Sequence, residues 1–73
     1  MAHPPYRIVI EPLPEEDGGG FVALVPDLPG CMADGETDIM ALTNAHDAIE
    51  VWLSANAEMG RPAPQPERRL ARA

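Results

Sequence analysis

The chain has one cysteine, three aromatic side chains and five cationic ones among its 73 residues. A lone Cys31 cannot close an intrachain disulfide, which excludes a bridge-stapled secreted miniprotein and fits a reducing compartment. Long apolar runs are missing too: none approaches the roughly 18 residues that a membrane span requires. The opening Met1-Ala2-His3-Pro4-Pro5 has neither a basic start nor an apolar signal stretch, so a soluble cytoplasmic protein with no membrane partner is expected. So short a chain excludes a two-domain enzyme, a doubly wound cofactor fold and a barrel, leaving a single domain over 1–73. Large apolar side chains are scarce as well. Of 33 apolar residues eleven are alanine, leaving 22 to build a core. Ordering costs about 1.5 kcal/mol per residue, and burial at about 25 cal/mol per Å² only about cancels that in so small a fold. Association with a further copy or another protein is therefore expected.

Acidic residues are plentiful. Twelve acids against five bases give a net charge of −7. Residues 1–60 hold eleven acids and one base, Arg7, for −10, while 61–73 hold four arginines and Glu67, for +3. Such a body repels nucleic acid phosphates and attracts cationic proteins, so direct DNA binding is not expected and a basic protein partner is.

Residues 6–11 are rich in β-branched and aromatic side chains and read as a strand, with Tyr6, Ile8 and Ile10 on one face and Arg7, Val9 and Glu11 on the other. Residues 12–20 carry two prolines, which cannot donate to a ladder, and Gly18-Gly19-Gly20, which allow positive φ; they read as a hairpin loop. A second strand, 21–25, is apolar on both faces, so both should be covered. One helix shields one face only. The other, carrying Val9, Val22 and Leu24, should therefore meet another subunit or a partner. Within Pro26-Asp27-Leu28-Pro29-Gly30 the Pro-Gly pair suits a type II turn. A short strand at 31–33 and an Asp34-Gly35 turn should follow. Thr37 is placed to cap a helix of about 22 residues, with an apolar stripe of Leu42, Ala45, Ile49, Trp52, Leu53 and Met59. Gly60-Arg61-Pro62 stops that helix. Residues 60–66 then form a stiff proline-rich connector, and 67–73 an Arg-rich tail or fourth strand.

Chemistry-bearing residues are few and scattered. Cys31 lies among apolar neighbours and reads as a small core residue, His46 as a surface partner of Glu50 one turn on, and His3 as part of a fraying end. None shows the spacing of a metal site or a nucleophilic pair, so no cofactor, metal or catalytic residue is expected. The triple glycine lacks a following Gly-Lys-Ser/Thr and precedes a strand, so it is no phosphate loop. Asp27, Asp34 and Glu36 surround the turns where a metal-dependent nuclease would place carboxylates, but turn and capping roles account for them. Arg68, Arg69 and Arg72 lack interleaved aromatics and are a weak nucleic acid signal.

The succession of strand, glycine-rich hairpin, strand, Pro26-Asp27-Leu28-Pro29-Gly30-Cys31, short strand, Gly35-x-Thr37 and amphipathic helix resembles the HicB antitoxin family of bacterial toxin-antitoxin pairs. Gly20-Phe21-Val22, Ala41-Leu42, Asn44-Ala45, Ala48-Ile49, Trp52-Leu53 and Gly60-Arg61-Pro62 extend the likeness over about residues 6–66. The resemblance implies an α+β, partial RNase H-like fold of order β-β-β-α-β, an antiparallel sheet with one helix on one face, in which catalytic carboxylates are absent. It implies a non-enzymatic antitoxin that occludes HicA, a small basic mRNA-cleaving toxin, and that self-associates. Two departures stand out. No operator-binding module is expected in the few residues after Pro66, so operator binding by this chain alone is not expected, and Ile39 and Met40 stand where the family often has acids. Those two side chains either form a contact surface, the reading preferred, or reach the core, and the partner surface is expected at Asp34, Glu36, Ile39, Met40, Val22 and Leu24. The structural motif is expected at Pro26, Asp27, Pro29, Gly30, Cys31, Gly35, Thr37, Asn44, Trp52 and Gly60. An orphan interaction domain without a toxin is the alternative reading, and residual nuclease activity a remoter one.

Overall fold

The computed structural model describes residues 5–66; the expected tail or fourth strand at 67–73 lies outside them. Three antiparallel strands, β1 (Val9–Pro12), β2 (Phe21–Leu24) and β3 (Met32–Gly35), form a sheet of order β1-β2-β3, and one helix, α1 (Asp38–Glu58), covers one face. This is the α+β class expected, and it matches the β-β-β-α part of the expected β-β-β-α-β order.

β1 begins three residues later than the pattern suggested. Its first residue pairs with Leu24, the last of β2, because Pro26 turns the partner strand away. Tyr6, upstream of the ladder, is buried, and its hydroxyl donates to the Pro64 carbonyl at 2.6 Å, tying the connector to the start of the chain. Pro12, assigned to the loop, instead closes β1 opposite Phe21. The next pair, Leu13 N–H to Gly20 C=O at 2.9 Å, is hydrogen-bonded, so Pro12 stands at a non-hydrogen-bonded position and its missing donor costs the ladder nothing. Within the loop Glu15–Asp17 form a single 3-10 turn, and Gly18, Gly19 and Gly20 all take the positive φ anticipated for them.

Between β2 and β3 two consecutive turns are closed by Leu28 N–H to Val25 C=O and Cys31 N–H to Leu28 C=O. In the second, Pro29 and Gly30 (φ 81°) occupy the central positions of a type II turn, as read. Leu28, between the turns, is completely buried and was not anticipated.

Asp34-Gly35 is not a turn. Both residues belong to β3, opposite Val22 and Phe21, whereas Cys31, expected in the strand, precedes it and accepts from Val25 N–H. The physical reason is a close crossing. A Cβ on Gly35 would lie 2.5 Å from the Ala41 nitrogen and 2.8 Å from Met40 backbone, so the glycine admits the helix rather than a bend.

The inner sheet face meets α1 through small residues: Ala23, Ala41 and Ala45 are fully buried, flanked by Ile8, Ile10, Phe21 and Ala33. Beyond them Tyr6, Val25, Leu28, Cys31 and Ile49 form the larger cluster, with Trp52 and Leu53 against it. The expected stripe is thus displaced: Leu42 and Met59 are exposed, while Ala41 and Asn56 face inward. Thr37 caps α1 as expected, its hydroxyl accepting from Met40 N–H at 3.1 Å. At the far end Gly60 (φ 76°) lets Arg61 N–H reach back to Asn56 C=O, the αL stop that the sequence signals. No helix among the described residues is long and apolar enough to cross a membrane.

Candidate protein-binding surfaces

Side-chain parity along the ladder sorts the sheet into two faces. Phe21, Ala23, Ala33 and Gly35 look toward α1. Val22, Leu24, Val9, Glu11, Met32 and Asp34 share the outer face, on which no described helix or strand packs. Val9, Val22 and Leu24 remain half-buried by their neighbours, and Met32 is 56% exposed.

A second group gathers where β3 passes into α1. Gly18, Gly19, Gly20, Asp34, Gly35, Glu36, Met40 and Asn44 line one open depression. Its carboxylates come from Asp34 and Glu36, and Asp38 stands exposed just beyond them on the first helical turn, where its charge also suits the helix dipole. Beside it Ile39 is 71% and Met40 46% exposed, so both apolar side chains point to solvent instead of the core. The structure therefore brings Asp34, Glu36 and Met40 together. It sets Val22 and Leu24 on the outer face, with Asp34 at the border of both surfaces.

A third surface was not read from the sequence. Along β3 and α1 a groove of ≈370 Å³ is lined by Met32, Asn44, Asp47, Ala48, Val51 and Trp52, with Gly30 and Cys31 at its end. Val51, 69% exposed and apolar on the outer half of the helix, was the available signal. Asn44 holds the groove's wall to the sheet, its amide donating to the Asp34 carbonyl at 2.8 Å. Trp52 closes the groove beside Gly30: its indole N–H donates to the Pro29 carbonyl at 2.9 Å, linking helix to type II turn. Asn56, also missed, donates to the carbonyls of Arg61 and Pro62 and folds the connector back onto the helix.

The reactive side chains fit structural work. Cys31 is buried, and loss of hydration pushes its thiol pKa up, which lowers its thiolate fraction and reactivity. Burial, and secondarily the negative charge of Asp27, raise the pKa of Tyr6. Among the described residues no group of three or more His, Cys, Asp or Glu side chains is placed to hold a metal ion.

The class these elements define is a small α+β domain with one sheet face uncovered and β1 and β3 as sheet edges with no further strand beyond them among the described residues. The chain belongs to the family described as HicB_like antitoxin of bacterial toxin-antitoxin system, whose model matches residues 6–71. A UPF0150 protein of Synechocystis sp. (strain ATCC 27184 / PCC 6803 / Kazusa) is 37% identical over 67 residues, covering 92% of this chain and 88% of the relative. A UPF0150 protein of Helicobacter pylori (strain J99 / ATCC 700824) is 39% identical over 46 residues, covering 63% of this chain and 64% of the relative. These names say nothing of function. No solved structure matches the chain.

Proposed function

We propose that this chain is the antitoxin of a toxin-antitoxin pair and acts in the cytoplasm, without catalysis of its own, by covering a basic, HicA-type, mRNA-cleaving toxin. The observation that carries the reading is the concentration of Asp34, Glu36 and Asp38 beside exposed Ile39 and Met40, in a chain of an antitoxin family. Carboxylates around an apolar patch suit a cationic surface with an apolar centre: the charges speed encounter and reject wrong partners, and the apolar side chains slow dissociation. The remaining acids act in the same direction, since residues 5–66 carry eleven acids and two bases, a net of −9. Two further parts belong to this reading. The β-β-β-α order is taken as a degraded RNase H-like fold whose first strand has Val9 and Ile10 where a nuclease carries an acid. Self-association is assigned to Val9, Val22 and Leu24 on the outer sheet face.

The test is co-expression with a HicA-type toxin, taken from the reading frame adjacent to this chain if that frame encodes a small basic protein. The antitoxin should restore growth and co-purify with it. Reversing Asp34 and Glu36 to lysine should leave the fold intact and lower the association rate about tenfold or more at low ionic strength, the difference shrinking in high salt. Failure of the neighbour to bind, or an unchanged association rate, overturns the reading.

A further inference from the structure

We infer that the free edge of β3 is the line on which a β-strand of a basic protein partner adds to this sheet. The inference rests on the antitoxin reading above and names the backbone groups through which it would act.

Two hydrogen bonds fix which backbone groups point outward. Leu13 N–H to Gly20 C=O makes 13 and 20 a hydrogen-bonded pair, so Val22 and Leu24 direct their backbone groups toward β1. Val25 N–H to Cys31 C=O does the same on the other side, so Phe21 and Ala23 face β3 and are met by Gly35 and Ala33. The amides and carbonyls of Met32 and Asp34 therefore point away from the sheet, and no described strand lies beyond them. Only the Asp34 carbonyl is met, by the Asn44 amide. That leaves two donors, Met32 N–H and Asp34 N–H, and one acceptor, Met32 C=O, spaced as a strand presents them.

The two edges of the sheet are not alike. β1 ends in Pro12, a residue that discourages pairing on an edge, and the connector is fastened near its start by the bond between Tyr6 and Pro64. β3 contains no proline and lies beside the groove of Met32, Asn44, Asp47, Ala48, Val51 and Trp52. An added strand offers alternate side chains to that groove while its backbone meets the edge, which is the usual division between affinity and specificity in strand addition. Charge selects the occupant. Asp34, Glu36 and Asp47 are exposed along this line, so lysine or arginine side chains on the incoming strand are favoured, and a second copy of this acidic body is disfavoured.

The experiment follows amide hydrogen exchange in the full chain, alone and in complex with a HicA-type basic protein, the neighbour, taken from the adjacent reading frame where that frame encodes one. In the free chain the Met32 and Asp34 amides should exchange much faster than those of Ala33 and Gly35. In the complex they should slow by about tenfold or more. Met32→Pro deletes an outward donor without touching the ladder to β2 and should weaken binding by about tenfold or more. Val51→Lys places a cation in the groove at an exposed helical position and should weaken binding even if the proline variant fails to fold. If the neighbour binds but Met32 and Asp34 gain no protection and Val51→Lys binds normally, the edge is not the docking line and the antitoxin function stands. If the neighbour does not bind at all, both fall. Protection of the two amides in the free chain overturns the inference as well. Loss of that protection on truncation after Pro66 would identify the chain's own C-terminal segment as the occupant, and dependence on protein concentration would identify a second copy.

Discussion

Replacing Gly35 by alanine adds one methyl group, yet it should be among the most damaging small changes in the domain. The new Cβ would stand 2.5 Å from the Ala41 nitrogen and 2.8 Å from both the Met40 carbonyl carbon and its Cβ. Two of those three neighbours are backbone atoms of the first turn of α1, so no rotamer change relieves the contact and the helix must move. Overpacking of this kind costs about 1–3 kcal/mol. A domain of this size is expected to have a total stability of only about 3–10 kcal/mol, so the change removes a substantial fraction. A loss of about 2 kcal/mol corresponds to a drop in Tm of about 8–16 °C for a chain of this length. Urea unfolding followed by Trp52 fluorescence gives the midpoint and slope. Gly30→Ala is the control, since space around Gly30 is open and only its φ of 81° is at stake. That conformation costs alanine about 1–2 kcal/mol, so Gly35→Ala should be at least as destabilising as Gly30→Ala. Because the clash is with the Ala41 nitrogen, adding Ala41→Gly should not rescue Gly35→Ala. An unchanged midpoint for Gly35→Ala, or full rescue by Ala41→Gly, refutes the argument.

Trp52→Phe keeps most of the ring against the core but loses the indole bond to the Pro29 carbonyl, and should cost about 1 kcal/mol in denaturation; Trp52→Ala should cost about 3–5 kcal/mol, enough to unfold much of the population. Asn56→Ala loses two hydrogen bonds to the connector, so it should destabilise by about 1–3 kcal/mol and increase the exchange of the Arg61, Ala63 and Gln65 amides more than those of β2. Tyr6 is the sole tyrosine, so absorbance at 295 nm reports its ionisation directly: its pKa should exceed 10.0, and Asp27→Asn should lower it toward that value. Because the folded-state pKa is the higher one, the stability linked to Tyr6 is complete below pH 10 and is lost as pH rises through the folded value. Cys31 should react with iodoacetamide in the native state many times more slowly than in urea, and equal rates would place the thiol at the surface.

Elements set by local chemistry were legible in the sequence. Pro29-Gly30 predetermines a type II turn, Thr37 supplies a hydroxyl to the first turn of α1, and Gly60 takes the left-handed conformation that ends it. What depended on distant neighbours was misread. Asp34-Gly35 has the composition of a turn, and only the crossing of the helix shows why a glycine stands there. Ala41 was not in the expected stripe, which began one residue later at Leu42, yet Ala41 is the residue fully buried. Ala23, Ala33 and Gly35 let the helix approach the sheet closely, and at that separation small helix residues such as Ala41 and Ala45 fill the contact. Asn56 was not among the residues expected inside, because its acceptors, the Arg61 and Pro62 carbonyls, lie past the helix in the connector. Of the candidate surfaces, Asp34, Glu36, Ile39 and Met40 could be read from charge and from apolar residues at the helix start. The β3 edge could not, since which amides point outward depends on strand register, and register was not fixed by the pattern.

The bond between the Tyr6 hydroxyl and the Pro64 carbonyl joins residues 58 positions apart and places the two ends of the described body side by side. A short linker between them, with a new opening at Gly18-Gly19, would give a circularly permuted domain that keeps the helix, its seam of alanines and both sheet edges, since the space around Gly18 and Gly19 is open and neither belongs to a buried cluster. In such a molecule the ends would emerge beside Asp34 and Glu36, so that a fused reporter would stand next to the acidic depression and its signal would change when a cationic protein arrives there.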